Sequence, residues 1–246
     1  MKNTAIIIPT RLEARRFPNK PLEKINNIPM IVHVFNRAKE SNVGEVFVAT
    51  PDEEIINAVK ENGGQTILTK KEHLSGSDRV YEAYIKTHLK DKADLIINLQ
   101  GDMPNIRPDS ISDLEKFMRE KKSGIGTLAS SIKNKDEIVD VNIVKVEVDQ
   151  DLKNHNFLDA QDFFRIKKDL NHKKIYHHIG IYAFTNVALT KYVKLPRSKL
   201  EIERNLEQMR VMENNISIKV AFSNSTPLGV DTKEDLEKVK KEMSHS

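Results

Sequence analysis

Four cationic side chains follow a short apolar run near the start of the chain. The run occupies residues 6–8, and the cations after it are Arg11, Arg15, Arg16 and Lys20, with one glutamate among them. Guanidinium and ammonium groups bind phosphate oxygens through charge-assisted hydrogen bonds. The segment therefore predicts a binding site for a polyanion such as a nucleoside triphosphate. On charge alone, a solvated surface loop is an equal alternative.

A carboxylate follows a second apolar run. Residues 94–99 predict a buried strand, and Gln100, Gly101 and Asp102 come directly after it. Glycine lets a backbone approach a ligand closely. A carboxylate beside a phosphate site commonly binds Mg²⁺, which takes one or two carboxylates together with substrate phosphates. The alternative is that Asp102 only caps the next helix.

A further acid, Asp231, precedes a predicted helix. Thr232 and Asp235 have the spacing of a capping box, in which each side chain hydrogen-bonds the backbone of the other residue. This pattern is typical of an ordinary helix start. The chemical alternative is that Asp231 is a second metal ligand.

The segment 73–79 predicts another helix start. Ser75 and Gly76 could offer a hydroxyl and an N–H group to a base or a phosphate, and Arg79 lies one turn further on. Many helix N-termini share this composition. The segment alone therefore supports nucleotide binding only weakly.

Two polar segments occur in the second half of the chain. Adjacent residues on a strand point to opposite faces, so the neighbours His177 and His178 cannot both face one site. His178 and Tyr182 share a parity and could line one wall, or the strand could simply be half-buried. In the predicted helix 200–214, Leu206 and Met209 supply the core face. Three further side chains of that helix are expected to be solvated: Glu207, Gln208 and Arg210.

The elements that must position these residues alternate along the first half. Strands are predicted at 4–9, 45–49, 65–68, 94–99, 126–132, 143–149, 179–184 and 216–222. Helices are predicted at 30–41, 52–62, 75–89, 108–121, 200–214 and 232–242, with Asp52 as a cap. This order indicates an α/β fold with a mainly parallel central sheet flanked by helices. Because ligands bind at the carboxyl ends of such strands, Arg11 and Asp102 are expected at one edge.

The length of 246 residues suits a single domain, 1–246. Its irregular segment 133–178 is expected to contribute to dimerisation or to a substrate lid. The 40 basic and 36 acidic residues nearly cancel. With no basic stripe and only 6% aromatic residues, nucleic-acid binding is not expected.

The composition also excludes several classes of protein. The chain has no cysteine, which excludes disulfides and thiolate metal sites. It has no apolar run of the ~18 residues needed to span a bilayer. Its first residues lack the layout of a signal peptide. We therefore expect a cytoplasmic protein without membrane insertion.

Taken in order, these segments resemble the 3-deoxy-manno-octulosonate (Kdo) cytidylyltransferases, also called CMP-Kdo synthetases. The resemblance spans nearly the whole chain. Single motifs recur across sugar nucleotidyltransferases, but the ordered set is specific to this family. The matching motifs are Ile7-Ile8-Pro9-x-Arg11, Arg16-x-Pro18-x-Lys20-Pro21-Leu22, Pro29-Met30-Ile31-Val32-His33-Val34, Val48-Ala49-Thr50, Ser75-Gly76-x-x-Arg79, Gln100-Gly101-Asp102-x-Pro104, His178-x-Gly180-Ile181-Tyr182, Leu206-Glu207-Gln208-x-Arg210 and Val230-Asp231-Thr232-x-Glu234-Asp235-Leu236.

The resemblance implies a nucleotide-diphospho-sugar transferase (GT-A-like) fold and a homodimer. It also implies the reaction CTP + Kdo → CMP-Kdo + pyrophosphate, in lipopolysaccharide synthesis. Catalytic roles are implied for Arg11, Lys20 and Asp102, and Mg²⁺ binding for Asp102 and Asp231. The implied nucleotide-binding residues are Arg11, Arg16, Lys20, Ser75, Gly76, Arg79 and Gln100. The implied sugar-binding residues are Gln100, His178, Tyr182, Glu207 and Gln208.

Some positions depart from the family pattern. The family's Tyr-Phe-Ser-Arg segment corresponds here to residues 156–159, which read Asn-Phe-Leu-Asp and lack the arginine. An arginine facing a sugar carboxylate is hard to replace, so a related ulosonic acid is an alternative substrate. A degenerate regulatory module that binds CTP or a sugar is another alternative, but the presence of both expected metal ligands argues against it. The other departures are Ala14, Arg15, Asn19, Pro51 and Met103.

Overall fold

The computed structural model describes residues 3–13, 16–155, 157–166 and 174–244. Ala14, Arg15 and Asn156 lie outside these residues. The chain divides into two compact units. Unit 1 consists of Met1–Ser112 together with Pro227–Ser246, and unit 2 of Asp113–Thr226. Among the described residues, no helix is both long enough and apolar enough to cross a membrane.

The strands, in chain order, are β1 (Thr4–Pro9), β2 (Lys24–Ile25), β3 (Ile28–Pro29), β4 (Glu45–Thr50), β5 (Gln65–Leu68), β6 (Leu95–Leu99), β7 (Ile125–Ser130), β8 (Lys145–Val148), β9 (Leu158–Asp159), β10 (Asp162–Phe164), β11 (Lys174–Thr185) and β12 (Lys219–Phe222). The helices are α1 (Met30–Glu40), α2 (Glu53–Glu61), α3 (Gly76–Lys86), α4 (Pro108–Lys121), α5 (Asp136–Val139), α6 (Asn186–Lys194), α7 (Lys199–Arg204), α8 (Met209–Glu213) and α9 (Lys233–Met243). A 3-10 turn covers Lys20–Leu22.

Unit 1 contains a parallel sheet in the order β5-β4-β1-β6. All six residues of β1 are buried, because the strand lies between two others and its isoleucines pack into the core. Parallel pairing places the carboxyl ends of these strands at one edge. The expected edge therefore exists, and it carries the segments after Pro9 and after Leu99.

A second cluster in unit 1 joins its two chain segments. Phe17, Ile25 and Met30 pack with three residues from the end of the chain, and all six are buried. Those three are Val230, Leu236 and Val239. Helix α9, which carries two of them, begins with the predicted capping box between Thr232 and Asp235. The cluster fixes the loop after β1 against the segment that carries Asp231.

In unit 2, β7 pairs with β11 antiparallel and with β12 in parallel. β12 also pairs with β9, and β8 pairs with β10 and β11, all antiparallel. β11 has a bulge, since its pairing passes from Ile179–Leu128 directly to Tyr182–Thr127. This bulge brings two carbonyl groups of β11, those of Ile179 and Ile181, towards Thr127 of β7.

The prediction of one continuous helix at 200–214 is wrong, because the helix is interrupted in the middle. The structure has two short helices there, α7 and α8, because Asn205 ends α7 in the left-handed conformation with φ 52°. Asparagine adopts this conformation more readily than most residues. Helix α6 occupies residues for which the sequence predicted no element.

Candidate active site

The loop after β1 is held by the neighbouring strand. Thr10 N donates to the Ala49 carbonyl at 3.0 Å, and Leu12 N donates to Asp52 Oδ2 at 2.7 Å. Asp52 was expected to cap α2, but its side chain makes no capping hydrogen bond and binds this loop instead. Arg11 is exposed, and its guanidinium makes no hydrogen bond or ion pair with the part of the chain described. It is therefore available to an anionic ligand.

Lys20 lies beside both predicted metal ligands. Its Nζ is 2.5 Å from the Val230 carbonyl, 3.4 Å from Asp102 Oδ2 and 3.5 Å from Asp231 Oδ1. Arg16 forms an ion pair with Asp231 Oδ2 at 2.9 Å. The backbone of Val230 also donates to the Asp102 carbonyl at 2.9 Å. The structure thus brings together four residues that the sequence predicted for phosphate and metal binding: Arg16, Lys20, Asp102 and Asp231.

The donor set of this group suits magnesium. Two carboxylates, those of Asp102 and Asp231, lie within 3.5 Å of Lys20 Nζ. No group of three or more His, Cys, Asp or Glu side chains placed to hold a metal ion occurs in residues 3–13, 16–155, 157–166 and 174–244. Mg²⁺ is commonly bound by one or two carboxylates with the remaining ligands from water and phosphates. Asp102 and Asp231 therefore fit a metal that arrives with a phosphate substrate.

Gly101 lets the backbone after β6 pass close to β1. A Cβ atom at this position would lie 3.2 Å from the Pro9 carbonyl oxygen and 3.2 Å from Ile31 Cδ1. Both distances are tighter than ordinary van der Waals contact, so a side chain would push the two segments apart. Glycine thus sets the position of its neighbours Gln100 and Asp102.

A cleft of about 240 Å³ lies at the same edge of unit 1. Helix α3 begins there, and Ser75 caps it by accepting a hydrogen bond from Asp78 N at 3.2 Å. The start of a helix carries a partial positive charge and free N–H groups. The cleft therefore favours an anion or a polar ring. Its lining residues are Pro9, Thr10, Arg11, His73, Leu74, Ser75, Gly76, Arg79 and Gln100.

Gln100 is connected to helix α3 through a buried asparagine. Gln100 Nε2 donates to Asn98 Oδ1 at 2.8 Å, and Asn98 Nδ2 donates to Ser77 Oγ at 3.3 Å. Asn98 was not predicted as a site residue. Its position inside an otherwise apolar strand is the signal that could have shown it, because a buried amide needs partners.

Arg79 holds the segment before α3. Its guanidinium donates to Thr69 Oγ1 at 2.5 Å and to the Lys70 and Lys71 carbonyls at 3.0 and 3.2 Å. Burial, followed by the nearby charge of Arg11, lowers the pKa of Arg79. It lines the cleft, but most of its donors are used within the protein.

Glu82 also binds the segment before α3. Its carboxylate accepts hydrogen bonds from Lys86 Nζ at 2.5 Å, from the Lys70 backbone at 3.0 Å and from His73. Burial acts to raise the pKa of Glu82, but these hydrogen bonds outweigh it and lower the pKa to about 2. Neither Glu82 nor His73 was predicted as a site residue, although Glu82 lies one turn after Arg79 on the same helix.

Glu82 should make stability depend on pH. A carboxylate whose pKa falls from 4.5 to about 2 on folding stabilises the protein above pH 4.5. That contribution is lost as the pH falls from 4.5 towards 2. We expect Glu82→Gln to lower the melting temperature at pH 7 and to flatten its decline across this window. Thermal unfolding measured at several pH values checks this, with Glu61→Gln on the exposed face of α2 as the control. An unchanged pH dependence in Glu82→Gln would contradict it.

In unit 2, His178 and Tyr182 lie together, as their parity predicted. Their ring centroids are 5.4 Å apart. His178 Nε2 is 3.0 Å from Thr127 Oγ1, and burial lowers the pKa of His178 to about 3. The Tyr182 hydroxyl oxygen is buried and has no hydrogen-bond partner among the described residues. Burial, followed by the charge of Glu207, raises the pKa of Tyr182 well above its usual value.

Glu207 is positioned by Tyr192. The Tyr192 hydroxyl is 2.8 Å from the Glu207 carbonyl oxygen and 3.2 Å from Glu207 Oε1. Gln208 and Arg210 were expected to be solvated, but both are buried. Arg210 forms two hydrogen bonds of 2.9 and 2.7 Å with Glu201, and its guanidinium lies 5.1 Å from the ring centroid of Tyr192. The buried ion pair explains how a charged residue enters the core.

This ion pair should contribute strongly to stability. Removing one partner of a buried pair leaves an uncompensated charge and costs about 3–5 kcal/mol. We expect Glu201→Gln to lower the free energy of unfolding towards that range. Glu203→Gln, on the same helix and in a surface pair with Lys199 at 3.7 Å, should change it by less than about 1 kcal/mol. Urea denaturation of both variants checks the prediction. Equal effects of the two changes would contradict it.

Asp159, at the position where the family resemblance leads us to expect an arginine, is paired within unit 2. Its Oδ2 lies 2.7 Å from Lys219 Nζ, and its Oδ1 accepts from the Ser217 hydroxyl. The contacts come from the pairing of β9 with β12. Asp159 therefore has a structural role, since it links β9 to β12.

Comparisons with known proteins identify the family. A family model described as cytidylyltransferase matches residues 5–218. The 3-deoxy-manno-octulosonate cytidylyltransferase of Rhodopseudomonas palustris strain BisB5 is 42% identical over 95% of this chain and 95% of its own. The enzyme of the same name from Bartonella tribocorum is 41% identical, with 96% of each chain covered.

Solved structures agree with this result. A structure of CMP:2-keto-3-deoxy-manno-octonic acid synthetase complexed with CTP is 38% identical, has a TM-score of 0.88 and matches over 99% of both chains. The 4-diphosphocytidyl-2C-methyl-D-erythritol synthase of Anaerococcus prevotii has a TM-score of 0.65 at 11% identity, which shows the fold alone. The predicted nucleotidyltransferase fold is confirmed. The chain belongs to the family of 3-deoxy-manno-octulosonate cytidylyltransferases.

Proposed function

We infer that this protein transfers the cytidylyl group of CTP to Kdo and releases pyrophosphate. The observation that carries this inference is the group formed by Lys20, Asp102 and Asp231 at the strand edge of unit 1. The same edge of unit 1 carries a cleft lined by Arg11, Arg79 and the start of α3, which would accept a nucleotide. The sequence similarity to CMP-Kdo synthetases, which extends over nearly the whole chain, supports CTP and Kdo as the two substrates.

The reaction joins two anions. The anomeric hydroxyl of the sugar attacks the α-phosphorus of CTP, the bond to the β-phosphate breaks, and pyrophosphate leaves. Arg11 and Lys20 donate to phosphate oxygens and stabilise the charge that develops on the leaving group. Asp102 and Asp231 would hold Mg²⁺, which supplies charge neutralisation to the phosphates when bound.

The remaining site residues bind and orient the substrates. Arg16 contributes positive charge beside Asp231, and Ser75 and Gly76 present the start of α3 to the nucleotide. Arg79 shapes the cleft from within. Gln100 would contribute to binding of both the nucleotide and the sugar. The proposed sugar-binding residues are Gln100, His178, Tyr182, Glu207 and Gln208.

We also propose that residues 1–246 serve as one catalytic domain, because the family model spans parts of both units. The segment 133–178 would contribute to a homodimer interface or to a substrate lid. The described part of this segment exposes three large apolar side chains, which supports an interface. They are Val139, Val141 and Ile166. A cytoplasmic location and a role in lipopolysaccharide synthesis follow from the proposed reaction.

A related ulosonic acid is the second candidate substrate. The observation that favours it is Asp159, which binds Lys219 and leaves the family's arginine position without a cation. A regulatory module that only binds CTP or a sugar is less favoured, because it would not need both Asp102 and Asp231.

One assay separates these functions. The protein is incubated with Mg²⁺, CTP and a panel of ulosonic acids, and pyrophosphate release is measured. Release with Kdo at the highest kcat/KM supports the proposal. Pyrophosphate release only with another ulosonic acid would show that Kdo is not the substrate, while the proposed mechanism would stand. CTP binding without release in any mixture would favour the regulatory module.

A further inference from the structure

The hydroxyl group of Thr127 lies within hydrogen-bond distance of one ring nitrogen of His178 and of two carbonyl groups of β11. Thr127 is fully buried, and its Oγ1 lies 2.7 Å from the Ile181 carbonyl and 3.3 Å from the Ile179 carbonyl. A hydroxyl group has one proton, and the contact with the Ile181 carbonyl is the shortest that Thr127 Oγ1 makes, so we place the proton on that contact. The oxygen is then left as an acceptor for His178 Nε2, 3.0 Å away. Nε2 must therefore carry a proton.

The bulge in β11 creates this arrangement. The register passes from Ile179–Leu128 to Tyr182–Thr127, so residues 180 and 181 have no partners of their own on β7. Two carbonyl groups of β11 consequently reach the same hydroxyl. A regular strand would present only one of them to a single facing residue.

His178 is neutral in this environment. It is packed between the rings of Phe163 and Tyr182, with centroids at 5.1 and 5.4 Å. Burial, followed by the charge of His177, lowers the pKa of His178 to about 3. In a neutral imidazole with a proton on Nε2, Nδ1 is an acceptor. No described residue donates a hydrogen bond to Nδ1.

Tyr182 supplies a second unused polar atom on the same wall. Its hydroxyl oxygen is buried and has no partner among the described residues, although buried hydroxyls usually have one. It also keeps its proton, because its pKa is raised well above the usual value. The two neighbouring rings thus offer one acceptor and one hydroxyl, with no charge. Such a wall suits the hydroxyl groups of a sugar better than its carboxylate.

We propose that Thr127 is a positioning residue that holds His178 in the Nε2–H tautomer, so that Nδ1 accepts a hydrogen bond from a hydroxyl group of the acidic sugar. The proposal rests on the sugar-binding role given above to His178. It adds Thr127, on β7, to that site. It also assigns the recognition of sugar hydroxyl groups to the side chains of His178 and Tyr182.

The first experiment observes the tautomer directly. In protein labelled with ¹⁵N at the histidine rings, the signals of His178 are assigned by their loss in His178→Asn. We expect a protonated Nε2 and an unprotonated Nδ1 at pH 7 in the wild type and in Thr127→Ser. In Thr127→Val, which leaves Nε2–H without an acceptor, the proton should shift to Nδ1. A protonated Nδ1 in the wild type would overturn the proposal.

The second experiment measures kinetics with CTP and the sugar that is turned over. Losing one hydrogen bond should raise the KM of Thr127→Val for the sugar by about tenfold, with a much smaller change in the KM for CTP. Thr127→Ser should restore wild-type values. Thr190→Val, which removes a hydroxyl from α6 instead, is the matched control and should show no such change.

These outcomes are separable from the proposed reaction. An unchanged sugar KM in Thr127→Val, or an equal rise in the KM values for both substrates, would overturn the positioning role while CMP transfer itself stands. Conversely, if no sugar accepts CMP, the proposed reaction fails, but the tautomer in the labelled protein still reports whether Thr127 sets it.

Discussion

Replacing Lys20 by methionine should reduce kcat for pyrophosphate release by at least about 10²-fold, as does the loss of a single donor that stabilises transition-state charge in other enzymes. Lys20 is a strong candidate because its Nζ is the cation that contacts both Asp102 and Asp231. Methionine has a similar shape but no charge. Since the charge on the leaving group grows along the reaction, kcat should fall more than the KM for CTP rises.

The matched control is Lys24→Met. Lys24 lies four positions further along, on β2, and is exposed. We expect it to keep wild-type kinetics, which would exclude a general effect of lowering the positive charge. Melting temperatures of both variants show whether folding is intact. A kcat for a folded Lys20→Met within about threefold of the wild type would contradict the proposed role.

Replacing Asp102 or Asp231 by asparagine should have a comparable effect for a different reason. Asparagine keeps the size of the side chain but removes the negative charge that attracts Mg²⁺. Each single variant should lose at least about 10²-fold in kcat/KM. The double variant should lose little more than either single variant, because groups that act as one unit have non-additive effects.

Binding measurements give a readout independent of turnover. Calorimetric titration of Mg²⁺ in the presence of CTP should show weakened binding in each variant. Asp109→Asn changes an exposed acid at the start of α4 and should leave binding unchanged. Folding should persist in Asp102→Asn, because the hydrogen bond from Val230 uses the backbone carbonyl of residue 102. Wild-type Mg²⁺ binding and activity in both single variants would refute the metal assignment.

The sequence predicted most of unit 1 because its signals are local. The bounds of β1, β5 and α4 agree with the prediction, since apolar runs and a helix-starting proline determine them. The prediction that Arg11 and Asp102 lie at one edge needed only the rule that ligands bind at the carboxyl ends of parallel strands. Asp231 is different, because 129 positions separate it from Asp102. No periodicity connects the two, so only the family resemblance indicated their meeting.

Unit 2 was less predictable because its decisive contacts are not local. The prediction that Arg210 is solvated was wrong. Its partner Glu201 lies nine positions earlier, on the other side of the break between α7 and α8. The bulge in β11 could not be predicted from the alternation of side chains along a strand. Alternation shows that His178 and Tyr182 share a face, but not that extra residues lie between their pairing partners. Thr127 was not identified either, because a threonine within a strand is unremarkable in sequence.

The discontinuity of unit 1 has a consequence for biosynthesis. Val230, Leu236 and Val239, which complete the cluster around Phe17, are translated after the whole of unit 2. A nascent chain on the ribosome therefore exposes Phe17 and Ile25 until these last residues emerge. Lys20 likewise gains its contact with Val230 only then. The loop after β1 should consequently reach its final structure only after residues 230–239 have emerged, and chains stalled before Val230 should be substrates for chaperones and proteases.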